Sequence, residues 1–205
     1  KRFRAEWPGL SHVAGRAIPV AENVDREALR LMEDSYKGDV HEPLRHNAVI
    51  GEELQVLCGS EYLVDAPTGR IELEGSGFKA SLYDDGDEVV LAFAGTDDLG
   101  DVIADVRNGT CQETYQYQKA AELLKKIVDR YGSSGKKISV VGHSLGGGLA
   151  QYAILANDFG GIVSGVTYNS AGLCKSIIPR NTNIAAAAAS IKNYRAPNDY
   201  VSYIG

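Results

Sequence analysis

The sequence predicts an α/β domain with a mostly parallel central sheet and helices on both of its faces. Short apolar runs typical of strands alternate with amphipathic stretches of helical period, and this alternation favours parallel strands joined by helical crossovers. A length of 205 residues suits one domain with a substantial core, and 44% hydrophobic residues is an ordinary globular content. We therefore expect a layered domain built around one sheet.

The N-terminal part of the chain predicts helices. Pro and Gly residues interrupt positions 1–22, which we expect to be irregular. Apolar residues between positions 23 and 36 share one helical face, with Asn23 as the candidate N-cap, so a helix is predicted there. Residues 44–57 predict a second helix. The first predicted strand comes after these two helices.

A hairpin follows them. Residues 78–83 and 88–94 are apolar runs that flank the turn-forming sequence DDGD (84–87). The second run is continuously apolar, which indicates a strand covered on both faces. Residues 114–131 then carry an apolar stripe at helical spacing and predict an amphipathic helix.

The last predicted elements alternate between strand and helix. Residues 138–141 predict a strand, 145–156 a helix, and 162–168 and 191–194 two further strands. The alanine run 185–189 is compatible with a short helical segment. This order predicts helical crossovers and hence a parallel sheet.

We expect the chain to divide into two regions. Residues 76–205 would form the α/β core, and residues 1–75 an N-terminal extension of unassigned role that packs on it. The chain begins with Lys1 rather than Met, which indicates a processed or excised piece of a longer protein. We therefore expect the C-terminal part of the core to lie beyond Gly205.

Composition excludes several kinds of partner. The formal net charge is −6, so no basic surplus is available to neutralise the phosphates of nucleic acid. No apolar run approaches the ~18 residues of a membrane-spanning helix. Cys58, Cys111 and Cys174 are too widely spaced for a metal cluster, and their odd number suits no disulfide framework. We expect free thiols and no metal site.

A candidate nucleophile, Ser144, lies in the sequence GHSLG (142–146). A G-x-S-x-G motif alone is weak evidence, because short glycine-rich motifs also arise by chance. Here a predicted strand precedes the motif and a predicted helix follows it, as a nucleophile elbow requires. The alternative is a glycine-rich strand-to-helix loop with an incidental serine. We favour the nucleophile.

Acyl transfer also needs oxyanion donors and an acid that orients the base. The amide of Leu145 follows the nucleophile and starts a helix, where the dipole favours negative charge. The amide of Thr96, after the predicted strand 88–94, is the second candidate donor. Asp199 follows the last predicted strand and is the candidate acid. The alternatives are a plain turn at Thr96 and a solvated turn residue at Asp199.

Several segments together resemble the class 3 lipases, a family of α/β-hydrolases with fungal, bacterial and plant members. The resemblance runs in order across residues 88–204, and its most specific part surrounds Ser144. Residues 1–70 match nothing that we can name. The similar segments are LAFAGT (91–96), DVIADV (101–106), VGHSLGGGLA (141–150), TYNSAG (167–172) and YRAPNDYV (194–201).

The resemblance implies an α/β-hydrolase fold and a serine esterase that cleaves carboxylic esters of lipids, of lipase or phospholipase A type, through an acyl-enzyme. It implies Ser144 as nucleophile, Thr96 and Leu145 as oxyanion donors, Asp199 as triad acid, and no metal or organic cofactor. We expect contact with a membrane surface, and secretion or delivery to a target cell. An esterase or thioesterase with a non-lipid substrate is the alternative.

The catalytic base is missing from the expected position, because a histidine should follow Asp199. His12, His41, His46 and His143 all precede it. The first explanation is a histidine on a segment beyond Gly205, and this is the one we favour. The second is an early histidine that substitutes through a topological rearrangement. The third is an inactive relative that serves as an interaction or effector domain.

Overall fold

The computed structural model describes residues 26–37, 47–49, 51–65, 67–95, 115–157, 159, 161–173, 177–180 and 182–194. The helices are α1 (Arg26–Lys37), α2 (Gly51–Cys58), α3 (Tyr115–Tyr131), α4 (Leu145–Leu155) and α5 (Ile184–Ala189). The strands are β1 (Asn47–Ala48), β2 (Leu63–Asp65), β3 (Arg70–Glu72), β4 (Lys79–Asp84), β5 (Glu88–Phe93), β6 (Lys137–His143), β7 (Val163–Tyr168) and β8 (Ile191–Tyr194).

These strands form one mixed sheet in the order β2-β3-β4-β5-β6-β7-β8, with β1 beside β4. Strands β5 to β8 are parallel to one another, whereas all pairs among β1 to β5 are antiparallel. Helices α3, α4 and α5 lie in the connections between the parallel strands, as parallel pairing requires. The predicted α/β class is confirmed, and its parallel part is the half of the sheet from β5 onward.

Helices cover both faces of the sheet, as predicted. Successive side chains of β5 point to opposite faces, so Val90 and Leu91 belong to different hydrophobic clusters. On the face of Val90, α1 contributes Leu29 and Met32. On the face of Leu91, helices α2, α3 and α4 cover the larger cluster, to which α3 contributes Leu123.

The N-terminal half of the sheet differs from the sequence-based expectation. The helix predicted for residues 44–57 begins only at Gly51, and Asn47–Ala48 instead pairs with β4. Strands β2 and β3 were not predicted, and each has three residues. A strand of two or three residues is too short to show an alternating pattern, so tertiary pairing alone reveals it. The prediction of a helix was therefore wrong for residues 47–49, while residues 44–46 and 50 lie outside the described residues.

The later elements agree with the prediction within about two residues. Strands β4 and β5 form the expected hairpin, where Asp85 Oδ1 accepts hydrogen bonds from the amides of Asp87 and Glu88 at 3.0 and 2.7 Å. The alanine run forms most of α5, and the side chain of Asn183 caps it. The irregular segment 1–22 and the cap Asn23 lie outside the described residues.

One of the three cysteines can be placed. Cys58 is a buried free thiol at the end of α2, as expected, and burial raises its pKa to about 12. Such a thiol stays protonated at neutral pH and is chemically inert. Cys111 and Cys174 lie outside the described residues.

Candidate active site

Ser144 is the single residue between the end of β6 and the start of α4. Its backbone has φ 54° and ψ −124°, a conformation that L-residues with a side chain rarely adopt. Holding it there costs about 1–3 kcal/mol, so the surrounding structure must impose it. A strained serine between strand and helix is the geometry of a nucleophile elbow in the α/β-hydrolase fold.

Two glycines of the motif are required because the elbow has no room for side chains. A Cβ atom on Gly142 would lie 2.2 Å from the carbonyl oxygen of Gly146. A Cβ atom on Gly146 would lie 2.3 Å from the carbonyl oxygen of Phe93. The start of α4 therefore packs directly on the backbone at the end of β5, and only glycine permits that approach.

Backbone hydrogen bonds hold Ser144 from two sides. Its amide donates to the carbonyl of Tyr168 at 3.2 Å. Its carbonyl accepts from the amide of Gly148 at 3.1 Å, within the helix, and from the amide of Ala171 at 2.9 Å. Two of these three partners belong to the end of β7 and the segment after it. The neighbouring strand therefore imposes the strained conformation.

The hydroxyl group of Ser144 is buried, with the residue 3% exposed. Its Oγ atom forms no hydrogen bond to any described part of the chain. A buried hydroxyl is normally paired, so an unpaired one in a strained position indicates a functional rather than a structural role. The group is available to a base and to a substrate carbonyl.

Leu145 is the first residue of α4, so its amide has no acceptor within the helix. The positive end of the helix dipole also lies there, which favours an oxyanion. The other oxyanion candidate, Thr96, lies outside the described residues. The strand before it ends beside the elbow, since Gly146 packs on Phe93. The second donor at Thr96 stays a prediction.

Asp199 also lies outside the described residues, but the strand before it is placed. In the sheet register His143 pairs with Tyr168, and Tyr168 pairs with Tyr194. The rings of Tyr168 and Tyr194 stack with their centroids 5.4 Å apart. The carboxyl ends of β6, β7 and β8 therefore lie side by side. The role of Asp199 stays a prediction.

His143 is the only histidine among the described residues. It is the last residue of β6, and burial lowers its pKa to about 3. An imidazole with such a low proton affinity is a poor general base at neutral pH. His12, His41 and His46 lie outside the described residues.

Reasoning from single residues missed the polar side chains behind the elbow. Asn169, directly after β7, has φ 43° and donates its amide to the carbonyl of Tyr194 at 2.8 Å. The buried hydroxyl of Ser170 accepts a hydrogen bond of 2.7 Å from Gln151 Nε2 and donates one of 3.0 Å to the carbonyl of Ala171. The only signal in the sequence was the small-residue segment after β7.

A cleft of about 380 Å³ lies at the other end of α4. Ile154, Leu155 and Phe159 form part of its wall, opposite α5. The helix rises about 1.5 Å per residue, so some 15 Å separate this cleft from Ser144. Its position argues against a part in chemistry at the nucleophile.

Within the described residues, no three His, Cys, Asp or Glu side chains converge as metal ligands would. In the same part of the chain, no helix is both long and apolar enough to cross a membrane. The elbow as described thus presents a serine hydroxyl, a helix N-terminus and a glycine-lined backbone.

Comparison with known proteins finds similarity to a phospholipase and to lipases. The extracellular phospholipase A1 of Serratia liquefaciens is 37% identical over 134 residues, which are 62% of this chain and 40% of that protein. The chain therefore spans less than half the length of this relative.

Two solved lipases resemble the fold at low identity. The Lip2 lipase of Yarrowia lipolytica has 16% identity and a TM-score of 0.49, over 87% of this chain and 71% of its own. The Rhizomucor miehei lipase propeptide complex has 15% identity and a TM-score of 0.46, over 82% of this chain and 57% of its own. Family membership does not rest on these two structures. The family model of the Tle-like phospholipase domain matches residues 27–205, and the chain belongs to this phospholipase-like family.

Proposed function

We propose that this domain hydrolyses carboxylic esters of lipids with Ser144 as its nucleophile. One observation carries the proposal: a buried, unpaired serine hydroxyl on a strained elbow between β6 and α4. A structural serine would be hydrogen-bonded and unstrained. Membership of a phospholipase-like family supports the same chemistry.

In the proposed reaction Ser144 Oγ attacks the ester carbonyl and forms an acyl-enzyme, which water then hydrolyses. The amides of Leu145 and Thr96 stabilise the oxyanion. Asp199 orients a histidine that follows Gly205, and this histidine takes the proton of Ser144. The sheet register supports this assignment of Asp199. The carboxyl ends of β6, β7 and β8 lie side by side next to Ser144, and Asp199 follows β8 in the sequence.

We propose a phospholipid as the substrate and its sn-1 ester as the bond that is cleaved. The similarity to the Serratia relative, an extracellular phospholipase A1, supports this choice. The extracellular location in the name of that relative likewise supports secretion, or delivery to a target cell, for the protein that carries this domain. Hydrolysis of an aggregated lipid also requires contact with a membrane surface.

Labelling of the full-length protein with a fluorophosphonate probe tests the nucleophile. We expect wild-type protein to be labelled and Ser144→Ala to be unlabelled, because the probe reacts only with an activated serine. Ser139→Ala is the matched control, since Ser139 is a buried serine on β6, the strand before Ser144, and its hydroxyl donates to Glu88. Absence of labelling in wild type, or equal labelling of Ser144→Ala, would contradict the assignment.

Product analysis tests the substrate. Vesicles of a phospholipid with different acyl chains at sn-1 and sn-2 should release the sn-1 fatty acid and leave the 2-acyl lysophospholipid. Release of the sn-2 chain would refute the proposed position. Turnover of soluble esters with none of phospholipid would refute the lipid substrate. Wild-type protein that binds the vesicles and is not labelled would favour an interaction domain.

A further inference from the structure

The segment that follows β7 holds the nucleophile from outside its own helix. The amide of Ala171 donates to the carbonyl of Ser144 at 2.9 Å. The carbonyl of Tyr168 accepts from the amide of Ser144 at 3.2 Å. Displacement of this segment would therefore rotate the peptide groups on both sides of the serine.

A side-chain pair ties that segment back to α4. Gln151 lies two turns after Ser144 on the helix, and its Nε2 donates to Ser170 Oγ at 2.7 Å. Ser170 Oγ in turn donates to the carbonyl of Ala171 at 3.0 Å. These contacts form a closed ring. It runs from Ser144 along α4 to Gln151, crosses to Ser170, and returns to Ser144 through Ala171.

The packing leaves this ring little freedom. A Cβ atom on Gly147 would lie 2.8 Å from the Cβ of Ser170, so Ser170 rests directly on the helix backbone. Ser170 is 1% exposed, so water cannot readily replace the amide of Gln151 as its partner. Loss of Gln151 would remove the donor to the buried Ser170 Oγ, and loss of Ser170 would leave Gln151 Nε2 only the longer contact of 3.4 Å to Thr167 Oγ1, so either change would loosen the segment.

We propose that Gln151 and Ser170 are positioning residues for the nucleophile. Their hydrogen bond holds the amide of Ala171 against the carbonyl of Ser144 and so fixes the direction of Ser144 Oγ. The inference rests on the proposed function, because it assigns the pair a role in acylation. Neither residue touches the substrate.

The rate at which Ser144 reacts with the probe separates this role from a general effect on stability. In the full-length protein, Gln151→Met should slow phosphonylation of Ser144 by the fluorophosphonate, in which fluoride leaves, about tenfold per active site, since small misplacements of reacting groups cost rate steeply. The maximal labelled fraction should stay near that of wild type. Ser170→Ala should behave alike, and the double variant should be slowed about tenfold rather than about a hundredfold, because both changes remove the same hydrogen bond between Gln151 and Ser170.

Gln55→Met is the matched control. Gln55 is a half-buried glutamine on α2 whose Nε2 donates to the carbonyls of Gly59 and Tyr62 at 2.9 and 3.1 Å. This variant should lose comparable thermal stability and react with the fluorophosphonate at the wild-type rate. Equal rates of reaction with the probe for Gln151→Met and Gln55→Met would overturn the inference. Additive effects of Gln151→Met and Ser170→Ala on that rate would also overturn it.

Hydrogen exchange decides the inference independently of activity. Peptides that contain Ala171 should exchange their amides faster in Gln151→Met than in wild type, and at the wild-type rate in Gln55→Met. Unchanged exchange in Gln151→Met would overturn the inference. Wild-type protein that does not react with the probe would instead refute the proposed function, and the exchange result would still decide whether the pair holds the elbow.

Discussion

At the scale of single residues, the elbow depends on positions that carry no side chain. A Cβ atom added to Gly142 or to Gly146 would lie within about 2.3 Å of a carbonyl oxygen, too close for any side chain. At Gly148, two residues further along α4, a Cβ would lie 3.0 Å from the hydroxyl of Tyr117, which can move, and 3.5 Å from the carbonyl oxygen of Ala171, an ordinary contact distance. The three glycines are therefore not equivalent, although the sequence shows them alike.

Alanine substitution should separate these positions. Gly146→Ala should lower the free energy of unfolding by at least about 2 kcal/mol, because the backbone of β5 must shift to admit the methyl group. Gly148→Ala should be nearly neutral, since better helix propensity, worth about 1 kcal/mol, offsets slight crowding. Urea unfolding of both variants measures the difference. Equal losses would mean that α4 does not pack on β5 as described.

His143 gives the protein a specific dependence on pH. Burial lowers its pKa to about 3, whereas the unfolded chain should titrate near the ordinary value of about 6.5. Between these values the unfolded state binds more protons, so the free energy of unfolding should fall as the pH is lowered. The loss that His143 causes is about 1.6 kcal/mol between pH 6.5 and pH 5, because the unfolded histidine is already half protonated at pH 6.5.

His143→Gln should remove that part of the pH dependence. Urea unfolding at pH 6.5 and pH 5 should show a smaller loss of stability in the variant than in wild type. Because the other histidines are unchanged, the difference between the two proteins isolates His143. An identical loss in both would show that His143 is not buried as a neutral imidazole.

At the scale of elements, a tyrosine connects α1 to the sheet. Tyr83 of β4 is fully buried, and its hydroxyl donates to Asp34 Oδ2 at 2.5 Å. Burial, and then the negative charge of Asp34, raises the pKa of Tyr83 above its ordinary range. The phenol therefore stays a donor at every pH of interest. Tyr62 forms a similar link between the α2–β2 connection and α3, with the uncharged carbonyl of Lys119 as acceptor.

Removal of the two hydroxyls should have unequal effects. Tyr83→Phe should lower the free energy of unfolding by about 2 kcal/mol and Tyr62→Phe by about 1 kcal/mol, because hydrogen bonds to charged groups contribute more. Thermal and urea unfolding measure both. A larger effect of Tyr62→Phe would contradict the view that the link to Asp34 anchors α1.

The elements also show where sequence reasoning succeeds. Helix α3 was predicted almost to the residue, because seventeen positions carry a clear helical period. The short strands β1, β2 and β3 were missed, because their pairing partners and not their own patterns define them. The proposed histidine past Gly205 rests on the family resemblance alone.

At the scale of the whole molecule, the open question is which histidine acts as the base. The proposed histidine follows Gly205, so single substitution of His12, His41, His46 or His143 by Gln should leave fluorophosphonate labelling of the full-length protein within a few-fold of wild type. Loss of a triad base reduces the rate by several orders of magnitude. A loss of that size in any of the four variants would identify that residue as the base and overturn the proposed order.

The division of the chain at residue 75 belongs to the same scale. Strands β1, β2 and β3 lie before that position and yet continue the same sheet through β4. Leu54 and Cys58 of α2 are buried in the same hydrophobic cluster as Leu123 and Ile127 of α3. The part of residues 1–75 that is described packs on the core. The division into an N-terminal extension, residues 1–75, and a core, residues 76–205, stays a prediction.

The sequence by itself determined the candidate nucleophile and the alternation of elements around it. Both depend on local patterns: glycine spacing at the elbow, an apolar strand before it, and a mostly apolar helix-forming run after it. Only the tertiary structure decided that Ser144 is strained and unpaired, and that Gln151 and Ser170 lie behind it. These features arise where α4, β5 and β7 meet. Contacts between residues distant in sequence leave no periodic signal, so they become visible only when the chain is folded.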